Sequence, residues 1–283
     1  MDPNIVEVAA SDANFSTLVT AVETAGLTTT LSGPGPFTVF APTDEAFGRF
    51  LTDNNLTANE LLASDQLGTV LGYHVLGAEV RASAVAAGKV NTSANLPFYV
   101  SVDPAGGIWI NGSSRITQTD INASNGVIHV LDYVITPPTQ NIAQIATAAA
   151  TSPSAPQFTQ LVAALVRADL VDAFTGGIED DLTVFAPTDQ AFQDLYAALG
   201  VSSVDQIPLE TLTNVLLYHV VPARAFSQDL RQGASLPTLL GGQNLSVNLA
   251  DLQINDSGLV AEALNIHATN GVIHVIDKVL LPE

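Results

Sequence analysis

The chain has 283 residues, 28 of them acidic and 8 basic, for a formal net charge of −20. A field of that sign repels phosphate backbones and anionic lipid surfaces, which excludes nucleic acid as a main partner. Cysteine is absent, so disulfides, thiolate metal sites and cysteine nucleophiles are excluded, and no apolar stretch is long enough to span a bilayer.

Hydrophobic residues make up 47% of the chain but aromatics only 6%, so the core must be built mainly from Val, Leu, Ile and Ala. The opening MDPNIVEVAA has no basic region followed by an apolar one, as an export signal would. The expectation is an exported chain whose signal or lipid anchor lies outside this sequence.

In chain order, a short helix at NIVEVA comes first. An amphipathic helix follows, with Phe15, Leu18, Val19 and Val22 on one face. The Gly/Pro-rich SGPGP leads into a strand at Thr38–Phe40, whose β-branched and aromatic residues suit a buried strand. Pro42 should end its pairing, and Thr43 can cap a helix with Asp44 and Glu45 near its positive end. More short helices follow, one opened by the capping-box sequence TANE from Thr57. YHV from Tyr73 reads as a strand, then a hairpin-rich stretch, then a last strand in GVIHV. Helices early and strands late favour an α+β fold.

The same order then repeats. TVFAPTDEAF (Thr38–Phe47) returns as TVFAPTDQAF (Thr183–Phe192), with Glu45 exchanged for Gln190. NGVIHVLD (Asn125–Asp132) returns as NGVIHVID (Asn270–Asp277), and Tyr73-His74 as Tyr218-His219, all displaced by 145 positions. The second amphipathic helix presents Phe158, Leu161, Val162 and Leu165, and Pro208 suits a first helical turn. A period this long is a domain duplication rather than a solenoid. The boundary falls in TPPTQ (Thr136–Gln140), giving domains 1–138 and 139–283.

TVFAPTDEAF, then YHV, then NGVIHVLD, each present twice in this order, resemble the fasciclin (FAS1) domain family. The resemblance covers nearly the whole chain. It implies two tandem fasciclin-like domains, each a β-sandwich or wedge with packed short helices, exported to a cell surface or matrix. It also implies adhesion rather than catalysis, with a cell-surface or matrix protein or polysaccharide as partner, self-association possible, and no cofactor or metal. Within the family, the Tyr-His pair is a proposed adhesion determinant, which here means Tyr73, His74, Tyr218 and His219; the bland reading is a buried, backbone-bonded pair. An Asp-Ile pair before the last strand, proposed in the family to bind integrins, corresponds to Asp120 and Ile121. The second copy has Asn265 and Ile266 there. The rival reading is a carrier of an apolar ligand such as a carotenoid or lipid.

Other motifs read as structural. Alternation puts Val127, His129 and Leu131 on one face of the last strand, and no further ligands at metal spacing accompany His129 or His274. His267 reads as a surface residue. DLQINDSGLVAE (Asp251–Glu262) half resembles a calcium loop but has Asp256 where the turn needs Gly. The acidic run Glu179–Asp181 reads as a solvated loop tip. Seven sequons occur, at Asn14, Asn55, Asn91, Asn111, Asn122, Asn244 and Asn255, and a turn role suits Asn111 and Asn255 equally well. There is no nucleophile elbow, P-loop, dinucleotide fingerprint or zincin motif.

Overall fold

The computed structural model describes residues 2–177 and 180–283. Glu179 of the acidic run lies outside them. The chain divides into two compact units, Met1–Pro137 and Pro138–Glu283.

The first unit begins with α1 (Ile5–Ser11), α2 (Ser16–Thr24) and α3 (Thr28–Leu31). Strand β1 (Phe37–Pro42) leads into α4 (Asp44–Asp53), α5 (Ala58–Leu62) and α6 (Leu67–Tyr73). Strands follow: β2 (Val75–Leu76), β3 (Gly88–Asn91), β4 (Pro97–Val102), β5 (Ile108–Ile110), β6 (Ser114–Ala123) and β7 (Gly126–Leu131). Their order in one seven-stranded sheet is β2-β1-β7-β6-β5-β4-β3. The neighbouring strands β1 and β7 are parallel, from Phe37 opposite Gly126 to Pro42 opposite Leu131.

That pair is buried on both faces, as parallel strands generally are. Val39, Ala41, Ile128 and Val130 pack under the helices with Ile5, Leu18 and Phe47. Phe40 and Leu131 point the other way and meet Phe98, Ile110 and Tyr73. The expected alternation is present, but neither face is polar. The sheet can cover its own second face because β6 carries two register shifts against β7, between Ile116 and Gln118 and between Gln118 and Ile121.

The second unit repeats this plan with α7 (Ile142–Ala150), α8 (Thr159–Arg167), β8 (Leu182–Pro187), α9 (Asp189–Leu199), α10 (Leu209–Tyr218) and β9 (Val220–Val221). After these come β10 (Ser235–Pro237), β11 (Asn244–Asn248), β12 (Gln253–Ile254), β13 (Ser257–Gly258), β14 (Ile266–Ala268) and β15 (Gly271–Ile276). The sheet is split into β14-β15-β8-β9 and β10-β11-β12-β13. The long β6 of the first unit corresponds here to two short strands, β13 and β14, with a 3-10 turn at Ala261–Ala263 between them. Pro208 stands just before α10, at its cap. Each unit is therefore an α+β sandwich with its own two-sided core.

The expectation of a YHV strand needs correction. Tyr73 and Tyr218 are the last residues of α6 and α10, and His74 and His219 are their caps. Only the following residues pair, Val75 with Val39 and Val220 with Val184. The helix prevails because Leu67 and Leu71, or Leu212 and Leu216, recur four apart on a buried face.

Candidate functional site

The repeated ten residues form one corner, and nearly every side chain in them has a structural partner. The Thr38 hydroxyl donates to the Ala78 carbonyl at 2.7 Å and accepts the Val80 N–H at 2.8 Å. Thr183 does the same with Ala223 and Ala225, at 2.6 and 2.9 Å. Thr43 caps α4 by accepting the Ala46 N–H at 3.1 Å, and Thr188 caps α9 likewise through Ala191. Asp44 reaches away from its own helix to the start of α2, accepting the Ser16 hydroxyl at 2.5 Å and the Thr17 N–H at 2.7 Å. Burial opposes its ionisation, but these hydrogen bonds outweigh that and hold its carboxyl below the usual value. Asp189 repeats the contact with Thr159 and Gln160. The one exchange between the copies, Glu45 for Gln190, falls at an exposed position.

The Tyr-His pair joins the helix end to the sheet. The Tyr73 hydroxyl donates to the Pro97 carbonyl at 2.8 Å and accepts from the Asn111 amide at 3.0 Å. The Asn111 side-chain oxygen Oδ1 accepts the Tyr99 N–H at 2.9 Å, and its backbone is left-handed at φ 51°. In the second unit Tyr218 donates to the Asn244 carbonyl at 3.1 Å and accepts from Asn255 at 3.0 Å. Asn255 also has φ 52°. It sits in the β12–β13 hairpin, so the calcium-like stretch is a turn, with Ile254 in the core.

His74 is bonded to backbone at both ring nitrogens. Nδ1 donates to the Val70 carbonyl at 2.7 Å, and Nε2 accepts the Ile135 N–H at 3.2 Å. His219 repeats this with Val215 at 2.7 Å and Leu280 at 2.9 Å. Burial pushes both imidazoles down to about 4, against the smaller upward pull of the helix carbonyl. The four side chains Tyr73, His74, Tyr218 and His219 belong to residues 0, 2, 4 and 3% exposed. They offer a partner no surface. Each imidazole borders a core void, of about 30 Å³ beside His74 and 20 Å³ beside His219. Such voids are far below the several hundred Å³ of a ligand pocket.

Asp120 and Ile121 lie elsewhere, at the β6 bulge. Asp120 is left-handed at φ 58°, and its carboxylate accepts the Ala82 N–H at 3.0 Å. Its own N–H donates to His129 Nδ1 at 3.2 Å, and His129 Nε2 donates to the Val80 carbonyl at 2.8 Å. Asn265 reproduces the arrangement with φ 58°, Ser227 at 2.7 Å and His274 at 3.3 Å. Ile121 packs against the helix-side core. The mid-strand histidines thus hold the bulge. Among the described residues no three His, Asp or Glu side chains gather to hold a metal ion. His267 is not a surface residue. It is partly buried, edge-on to Phe226 at 5.4 Å, and burial together with the Arg224 charge presses it to about 3.

The NG of the second motif is also explained. Asn125 accepts the Ile5 N–H at 2.9 Å and donates to the carbonyls of Leu31 and Gly33, both at 2.8 Å. Asn270 bonds Ile142 and Phe174, both at 2.9 Å. A Cβ at Gly126 would stand 2.0 Å from the Phe37 carbonyl oxygen, and one at Gly271 2.2 Å from that of Leu182. The Asn ties the first helix to the sheet, and the Gly lets the parallel strands meet.

Comparison with known proteins places this architecture. The fasciclin domain family model matches residues 13–137 and again 156–282. The chain belongs to the fasciclin domain family. Protein sll1483 of Synechocystis sp. is 44% identical over 137 residues, covering 47% of this chain and 73% of its own length. Uncharacterized protein sll1735 of the same organism is 42% identical over 134 residues, covering 47% of this chain and 97% of its own length. Transforming growth factor-beta-induced protein ig-h3 of Sus scrofa is 30% identical over 259 residues, 89% of this chain but 36% of that protein. The chain thus spans little more than a third of that longer relative. A FAS1 domain pair from the insect cell adhesion molecule fasciclin I aligns over 98% of this chain and 96% of that one, at 18% identity and TM-score 0.43. Both fasciclin domains carry the Thr corner, the Tyr-His helix end and the NG strand entry in the same roles.

Proposed function

We propose that the protein is a non-catalytic adhesion or matrix-interaction module, bacterial, and displayed at the cell surface or secreted. The observation that carries this reading is that one fasciclin domain is built twice, while the Tyr and His side chains of its repeated motifs are engaged inside the fold. That leaves outer surfaces for binding, and two linked domains suit bivalent attachment, where tethering raises avidity without new contacts. The partner is a cell-surface or matrix protein or polysaccharide, or a second copy of the chain. No single helix among the described residues is long and apolar enough to cross a membrane. Tyr73, His74, Tyr218 and His219 serve adhesion through the fold, whereas Asp120 is the contact residue of the first domain, with Ile121 anchoring it to the helix-side core. Neither core void is large enough for a carotenoid or lipid, so the apolar-carrier alternative would need a site outside them.

Retention of the intact chain on whole cells and on isolated matrix polysaccharide tests the proposal, with the visible spectrum recorded on the same preparation. Saturable retention of a colourless protein supports adhesion. No retention, with a chromophore or lipid released by solvent, overturns it in favour of the carrier.

A further inference from the structure

The two copies of the Tyr–Asn bond differ in what stands beside it. In the first domain the residue whose N–H bonds Asn111 Oδ1 is Tyr99, and both residues are buried. In the second domain Ser246 holds that position, its N–H bonding Asn255 Oδ1 at 2.8 Å. Ser246 is exposed and Asn255 only partly buried. Both line an open cleft of about 680 Å³, within the size range of ligand sites and far larger than the two core voids. Tyr218 borders the cleft and fixes the Asn255 amide at 3.0 Å without offering surface of its own.

The walls of the cleft are polar, and their hydrogen bonding is incomplete. Asn244 gives its amide to the Ser235 hydroxyl at 2.9 Å, and its Oδ1 has no donor among the described residues. Asp256 meets the Lys278 ammonium through Oδ2 at 3.4 Å, and its Oδ1 likewise has no donor among them. Donor hydrogens are left over as well. A side-chain amide nitrogen carries two. Asn255 gives one to Tyr218, and Gln243 gives one to the Glu283 carbonyl at 2.8 Å. Neither second hydrogen meets an acceptor among the described residues. Beside these groups Leu281, 53% exposed, supplies one apolar patch.

We propose that this cleft binds a neutral sugar unit of a polysaccharide, with Asn244 and Asp256 accepting from its hydroxyls and Asn255 and Gln243 donating to them. Among the described residues no cationic side chain lines the cleft, whereas Asp256 and Glu283 do, in a chain of net charge −20, so an anion is repelled. An apolar ligand would strand the amides and the carboxylate without partners. An ammonium group donates but cannot accept, which leaves the amide hydrogens unmet, and Lys278 already answers Asp256. A hydroxyl does both. Adjacent hydroxyls on a sugar ring, with its C–H face against Leu281, meet the whole set. The assignment rests on the adhesion reading and gives it a ligand class and a site in the second domain.

The test uses the full chain with cellotetraose and mannotetraose as neutral probes, tetragalacturonate as the anionic one and spermidine as the cationic one. Binding is followed by calorimetry and by the side-chain amide resonances of Gln243 and Asn255. At least one neutral sugar is expected to bind and shift both amides, with tetragalacturonate roughly tenfold weaker or worse. Asp256→Ala should weaken sugar binding about tenfold. Ser246→Tyr, which puts the first domain's residue at the cleft wall, should abolish it. Both positions are exposed, so the melting temperature should hold in each variant. No binding of either neutral sugar, equal or tighter binding of tetragalacturonate, or displacement of the sugar by spermidine overturns the assignment. So does binding that survives Ser246→Tyr or an affinity unchanged by Asp256→Ala. Retention of the parent chain on whole cells and matrix polysaccharide separates the two readings. Failure of the sugars with retention intact removes the cleft assignment alone, whereas a chain that binds the sugar but is never retained removes the adhesion reading and leaves the cleft.

Discussion

The carboxylate of Asp44, in the first turn of α4, accepts the backbone N–H of Thr17, in the first turn of α2, at 2.7 Å. A residue positioned to favour its own helix thereby caps another, and Asp189 does so again through Gln160 at 2.9 Å. The ten repeated residues are a junction of strand, helix and helix. Asp44→Ala should therefore lower unfolding stability by about 1 to 2 kcal/mol, the usual loss of an N-cap. Thr43→Ala should add a comparable loss at the other helix, and urea titration checks both. A change below a few tenths of a kcal/mol for both would refute the junction.

The buried hydroxyl of Tyr73 connects helix end and sheet. Tyr73→Phe leaves the Asn111 amide without that acceptor in a buried site, at a cost of roughly 1 to 3 kcal/mol. Tyr218→Phe should cost less, because its partner Asn255 is only partly buried whereas Asn111 is 3% exposed. Equal losses in thermal unfolding would show that burial of the amide does not set the cost.

Much of this was legible in the residues. Two long repeated motifs declare the duplication, the α+β order and the family, and Thr43 is a cap because its type and position allow little else. The Tyr-His pair was harder to place. Tyr73 and Val75, two apart, suggest a strand, yet the leucines spaced four apart before them extend the helix to Tyr73. The reach of Asp44 to Thr17 spans 27 positions and leaves no local trace. The pairing of Tyr73 with Asn111 could have been sought, since both copies place an Asn at nearly the same distance beyond the Tyr. His267 misled because it has no counterpart in the first copy, and its burial comes from Phe226 and Arg224, which are distant in sequence.

Acid should weaken the second domain more than the first. His74, His219 and His274 are held down at about 4 and His267 at about 3, chiefly by burial. Each is neutral when folded and free to protonate near 6.5 when unfolded, so between those values the unfolded chain binds more protons. Their contribution is complete above pH 6.5 and is lost as pH falls from 6.5 towards 4, up to about 3 kcal/mol for each. One of the four lies in the first domain and three in the second. The single Trp is in the first domain, so Trp109 fluorescence follows that domain while circular dichroism follows both. On titration from pH 7 to 4.5, dichroism should report an earlier transition than Trp109. A Trp109 transition that comes first contradicts the histidine account.

Gly126→Ala places a methyl on the Phe37 carbonyl oxygen at the head of the parallel pair. It should destabilise the first domain by several kcal/mol, about 3 or more, because backbone must move. Asp120→Asn should change stability by less than about 0.5 kcal/mol, since Asn265 makes the same bonds. Retention lost by this variant at unchanged melting temperature then locates the contact at the carboxylate itself. A melting temperature well below that of the parent chain contradicts the equivalence of the two bulges.

Bivalent adhesion is tested by surface retention of the intact chain beside its halves, residues 1–138 and 139–283, on whole cells and on matrix polysaccharide. Each half has its own two-sided core and should fold. Attachment through both domains gives saturable retention of the intact chain and far weaker retention of either half. Absence of retention by the intact chain contradicts an adhesive role, and a half that binds as tightly as the whole contradicts attachment through both domains.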